Sequence, residues 1–201
     1  MPTANEIVFP AAILQPPFFN LDAEDAVNYG AIGAVIGHEI SHGFDDQGRR
    51  YDGDGRLRDW WTAEDDAAFR ERTERLVAQY EAYRPLPDAG INGRLSLGEN
   101  IGDLSGLAIA WRAWQLSLGG REAPVVDGYT GAQRFFLGFA QIWRVNYREA
   151  ALRQQLVTGP HAPGEFRARG VLMNFGPFYE AFEVKEGDGL WRPGPERVKI
   201  W

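Results

Sequence analysis

The 201-residue chain has no cysteine. That excludes disulfides and thiolate chemistry and leaves only nitrogen and oxygen to bind a metal. Histidine is scarce too, with three in all, so imidazole chemistry is confined to His38, His42 and His161. No window approaches the roughly 18 consecutive apolar residues of a membrane span. The opening "MPTANEIVFPAAILQPPFF" lacks a basic segment followed by an unbroken apolar run. The chain as it stands is therefore expected to be soluble, without a membrane partner, with the cytoplasm the favoured compartment. Positive charge is in deficit, at 21 Lys and Arg against 28 Asp and Glu, giving a formal net charge of -7. This argues against nucleic acid as a partner, because binding phosphate needs a basic surface that releases counterions.

What is present suits one folded unit. Apolar residues make up 44% of the chain, enough for a real core, and residues 1–201 read as a single domain. "FPAAILQPPFF" carries a Pro-Pro pair at 16 and 17 and reads as an extended, packed segment. From Asp22 the pattern turns helical, with Ala26, Tyr29, Ile32, Val35, Ile36 and Ile40 at helical spacing and Gly43 as the stop. In "DDQGRRYDGDGRLRDWW", Asp52, Asp54 and Gly55 suggest a tight loop; a calcium loop needs a fuller run of oxygen ligands. Thr62 and Asp65 open a helix to about Tyr83 with Phe69, Leu76 and Tyr80 inward. "LGENIGDLSGLAIAWRAWQLSL" reads as a helix whose Gly98, Gly102, Gly106 and Ala110 permit close packing. Another helix is expected from Gly131 to about Gln155, its Phe135, Phe136, Phe139, Trp143 and Tyr147 forming core or pocket wall.

"GHEISHGFDD" is where chemistry concentrates. On a helix, His38 and His42 at i and i+4 share a face and can each offer one nitrogen to a common metal. Glu39, about 100° round the helix, can reach a water on that metal without ligating it. The pattern alone is also compatible with two histidines on a polar helix face, and a catalytic zinc site normally needs a third protein ligand. Glu99 in "LGENIGD" is the best candidate, with Asp103 one turn on, able to accept the free N–H of a metal-bound imidazole. His161, in the loop "GPHAPGEFR", could donate to an oxyanion, although taken alone it reads as a surface residue.

At these residues the chain resembles the catalytic domain of the neprilysin family of zinc metallopeptidases, which includes the endothelin-converting enzymes and many bacterial oligopeptidases. The resemblance is an ordered series: "IVFPAAILQPPFF", "NYGAIGAVIGHEISHGFDDQGRRYD", "DWW", "INGRLSLGENIGDLSGL", "FFLGFAQIW", "HAPGEFR" and a terminal "VKIW". It implies an α+β, predominantly helical, thermolysin-like zincin (gluzincin) fold with little sheet, one zinc ion per chain, and peptide substrates. It further implies His38, His42 and Glu99 as ligands, Glu39 as catalytic base, Asp103 orienting His38 and Asp45 orienting His42. His161 would stabilise the tetrahedral intermediate, and Arg167 would help to hold substrate. Ile13, Phe18, Val35, Ile142 and Trp143 match positions lining the pocket for the side chain after the scissile bond, which prefers bulky apolar residues. The implied reaction is hydrolysis of internal peptide bonds, Glu39 taking a proton from zinc-activated water.

Family members are several times longer. Set against that resemblance, these 201 residues are expected to lack the helical domain that covers the active site of family members, and the Asn-Ala-aromatic-Tyr strand that binds the substrate backbone. The missing cysteines are reminiscent of the bacterial members. Surface left by the missing domain is expected to drive homo-oligomer formation. Three readings compete: an active endopeptidase with an open site, a zinc-loaded domain that binds peptides and cleaves them weakly or not at all, and a relic that no longer holds metal.

Overall fold

In the computed structural model, which describes residues 2–201, helices carry almost all of the regular structure. They are α1 (Asp25–Asn28), α2 (Ala34–Ser41), α3 (Ala63–Glu81), α4 (Leu97–Ser117), α5 (Gly131–Ile142), α6 (Glu149–Thr158), α7 (Gly164–Leu172) and α8 (Gly176–Phe182). Strand content among the described residues is limited to isolated antiparallel bridges, Tyr51 with Leu57, Leu86 with Ala89 and Val126 with Tyr129. The expected predominance of helix holds.

The sequence signals at two helix starts act locally. Thr62 caps α3 by accepting from the Asp65 N–H, but its hydroxyl also donates to the Asp65 carboxylate at 2.7 Å, so the second half of a capping box does not form there. The full box is at α5, where Thr130 and Gln133 satisfy each other's backbone N–H. Asp52 accepts from the backbone N–H groups of Asp54 and Arg56, and Gly55 takes φ +73°, closing the tight loop expected there. Phe69, Leu76 and Tyr80 of α3 point inward as expected, at 4%, 1% and 0% exposure.

Two expected helices are corrected. The helix expected from Asp22 starts at Asp25, immediately after Glu24, which the buried Arg134 of α5 grips. It is then interrupted by a π turn at Tyr29–Gly33, where the Ile32 N–H donates out of the helix to the Phe18 carbonyl at 2.9 Å. A π turn accommodates one extra residue and so rotates everything after it by about 100°. The buried stripe of α2 is accordingly Ala34, Gly37, His38 and Ser41, while Ile36 and Ile40, apolar residues of the same helical pattern, are exposed. The helix expected over 131–155 is two helices, α5 and α6, broken at 143–148. Trp143 leaves helical geometry at the cap, and Gly164 packs against its carbonyl, with the Gly164 N–H donating to the Tyr147 hydroxyl.

α4 is the central element. Its first half is buried nearly all round, including Asn100, Asp103 and Ser105, which an amphipathic surface helix would not tolerate. Its glycines explain how α2 can lie against it. A Cβ on Gly106 would sit 2.5 Å from the His38 backbone nitrogen and 2.6 Å from the Ala34 carbonyl oxygen, and a Cβ on Gly102 would sit 2.7 Å from His38 Nδ1. Gly106→Ala is therefore expected to push α2 away and destabilise the fold by about 1–3 kcal/mol, measured as a fall in Tm. An unchanged Tm would show that the helices have room to spare. On the other side of α4, Trp111 stacks on Phe136 and Trp114 on Phe135, with Phe139 completing the aromatic core.

Candidate active site

α2 and α4, held in contact by their glycines, present their polar groups to one place. His38 is buried on α2, and His42 caps the end of that helix with its side chain about a third exposed. Each imidazole uses Nδ1 on a carboxylate: His38 with Asp103 Oδ1 at 2.8 Å, His42 with Asp45 Oδ2 at 2.7 Å. Asp45 is itself held by the backbone N–H groups of Gln47 and Gly48 at 2.8 and 2.7 Å. Asp103 is gripped from α7, where Arg167 donates Nε and Nη2 to its two oxygens, both at 2.7 Å. Arg167 in turn lies over the Trp143 ring, 4.0 Å from its centroid.

With both Nδ1 atoms committed, both Nε2 atoms converge on Glu99, at 3.2 Å from His38 to Oε2 and 3.7 Å from His42 to Oε1. Two ligands at about 2.1 Å from a tetrahedral zinc lie about 3.4 Å apart, so these separations fit one ion between them. Among the described residues, His38, Glu39 and His42 also present ligand-type atoms all within 4.8 Å of one another. The donor set, two imidazoles and a carboxylate, suits zinc.

The charges are arranged for a cation. Burial works against a charged His38, yet hydrogen bonds to Asp103 and Glu99 outweigh it and carry the imidazole up to about 9. The hydrogen bond to Asp45 raises His42. Burial alone would raise Glu99, but hydrogen bonds from His161 and His38 hold it well below the usual carboxylate range. Asp103 is also held low, because the Arg167 charge and hydrogen bonds overcome its complete burial. Carboxylates kept ionised around imidazoles that attract positive charge form a receptor for a metal ion.

The site opens into a cavity of about 420 Å³. Ile13, Phe18, Val35 and Trp143 line it beside His38, Glu39, His42, Glu99, Asp103, His161 and Arg167. Ile142 is not among the lining residues; it is buried at the end of α5. Ala34 and Phe139 line the cavity too. Phe139 lies one turn before Trp143 on the same face, a signal readable in the sequence, whereas nothing in the sequence singles out Ala34. His161, from the loop between α6 and α7, brings Nε2 to 2.9 Å from Glu99 Oε2 while about half exposed. The clasp on Asp103 uses Nε and Nη2 of Arg167 and leaves Nη1 outside it.

The model of peptidase family M13 matches residues 1–198. Human endothelin-converting enzyme 1 is 44% identical over 203 aligned residues, covering 100% of this chain and 26% of that protein. Neprilysin-3 of Drosophila melanogaster is 39% identical over 205, with the same coverage. Among solved structures, the Mycobacterium tuberculosis zinc metalloprotease ZMP1 in complex with an inhibitor superposes with a TM-score of 0.98 at 56% identity, over 100% of this chain and 32% of that one. The chain thus spans about a quarter to a third of the length of these relatives.

Proposed function

The chain belongs to peptidase family M13, and we propose that it is the catalytic unit of a zinc-dependent endopeptidase cutting internal peptide bonds on the amino side of bulky hydrophobic residues. One observation carries this reading: two imidazole Nε2 atoms and the Glu99 carboxylate converge beside Glu39 at the base of a cavity walled by Ile13, Phe18, Val35 and Trp143. His38, His42 and Glu99 would hold one zinc ion per chain, which would supply a Lewis acid and lower the pKa of water towards about 7.

The remaining work falls to the chain. Glu39 accepts the proton of the attacking water and returns it to the leaving amine, so that one water is consumed and two peptide ends are formed. His161 donates to the oxygen that becomes negative as the carbonyl carbon turns tetrahedral. Asp103 and Asp45 keep Nδ1 protonated on His38 and His42 and so leave Nε2 as a lone-pair donor. Arg167 holds Asp103 in place and has Nη1 to offer a substrate carbonyl. The apolar wall receives the side chain after the scissile bond, burying it for about 1.5–3 kcal/mol.

Incubation with a mixture of peptides blocked at both ends, followed by mass spectrometry, tests the reading. New termini should begin with Phe, Leu, Ile or similar residues, disappear with a chelator and return with added zinc. Tight peptide binding without new termini would instead select a peptide-binding domain.

A further inference from the structure

A second cavity, of about 610 Å³, lies away from the active site between α4 and the C-terminal tail. Ile109, Ala113 and Leu116 form one wall and Val198, Ile200 and Trp201 the other. Its apolar character continues beyond Trp201 to the exposed Phe44, whose ring packs edge-on against it. The tail alternates, with Val198 and Ile200 buried at 1% and 2% and Lys199 and Trp201 exposed, which is the period of an extended strand.

This strand has no β-partner among the described residues. The Val198 N–H donates to Asn174 and the Ile200 carbonyl accepts from Arg72. Backbone groups of neighbouring residues in a strand point to opposite edges. The N–H and C=O of Lys199, which itself lines the cavity, therefore face the other edge, and no group among the described residues bonds them. The charged side chains lining the cavity are Arg112 and Lys199, both exposed and with no ion pair to an acidic side chain among the described residues, and no acidic side chain lines it. That is an unusual local sign in a chain of net charge -7.

We propose that this groove docks an extended segment of a partner polypeptide in which apolar and acidic residues alternate. The segment adds to the tail as a β-strand at Lys199, sets its apolar side chains between α4 and the tail, and offers its acids to Arg112 and Lys199. The charge argues against a second copy as occupant, since pairing two tails about a two-fold axis would oppose Lys199 to Lys199. The site is independent of the peptidase reading.

The test uses the zinc-loaded Glu39→Gln chain, so that the probe is not cut, and a blocked octapeptide alternating Glu with Val and Leu. The alternating peptide should bind at least tenfold more tightly than one of the same composition with its acids in one block, and should protect the Lys199 amide from hydrogen exchange. Lys199→Pro, which removes that N–H where extended backbone accepts proline, and Leu116→Arg, at an exposed position, should each weaken binding at least tenfold with circular dichroism unchanged. Equal binding of the two peptides, or unchanged affinity in Lys199→Pro, would overturn strand addition. Sedimentation showing a dimer that Leu116→Arg disperses would assign the groove to a second copy and overturn the proposed partner.

Discussion

Replacing Glu39 with Gln is expected to lower peptide turnover roughly a thousandfold while zinc content and Tm stay at their original values. The expectation rests on position. Glu39 follows His38 on α2 and so points about 100° away from it, lining the cavity with a carboxylate close to both imidazoles. Glutamine keeps the volume and can still accept a hydrogen bond through its amide oxygen, but it cannot take a proton at neutral pH. The proposed ligands His38, His42 and Glu99 are untouched, so binding and chemistry separate. Zinc should remain stoichiometric by elemental analysis while kcat collapses and KM changes little. A variant that cuts as fast as the parent would remove Glu39 from the reaction, and one that loses its zinc would make it a ligand.

Asp103→Ala should have the largest effect on stability, about 3–5 kcal/mol in urea unfolding, together with a loss of zinc affinity of roughly 10- to 100-fold. Two groups depend on this one carboxylate, whose side chain is 1% exposed. Removal strands the Arg167 guanidinium, buried beneath Trp143, without the anion that neutralises it. It also frees His38 Nδ1, so that the imidazole is no longer held in the tautomer that leaves the Nε2 lone pair for the proposed metal. Domain stabilities are commonly only about 5–15 kcal/mol, so the alanine variant is best studied cold and beside Asp103→Asn. The amide fills the same space and accepts from Arg167 through one oxygen, and it should recover part of the stability but not the metal affinity. Equal losses in both variants would locate the effect in the charge alone.

Much of this was legible in the sequence. The small residues Gly102 and Gly106 announced close packing, and they are where α2 crosses α4. The carboxylate pair Glu99 and Asp103, one helical turn apart, meets the histidines as expected. What could not be read are features that periodicity averages away. Within the π turn, Ile32 donates to a residue fourteen positions earlier, Phe18, and a regular period does not reveal that Ile36 and Ile40 are exposed. The break after Ile142 has no proline or glycine to mark it, because the contact that stabilises it is with Gly164, far along the chain. Ile142 was assigned to the pocket by resemblance; it is buried and is not among the residues that line the cavity. The bidentate clasp of Arg167 on Asp103 joins α7 to α4 and has no local signature at all.

The π turn also bears on how such a chain can change over evolutionary time. Losing any single residue from Tyr29 to Gly33 would regularise the helix and leave every letter of "HEISH" in place. A pattern search would still report a metallopeptidase. The imidazoles, however, would be turned away from Glu99, so for this fold the inheritance of the motif and the inheritance of the site are separate events, and an insertion of one residue divides them.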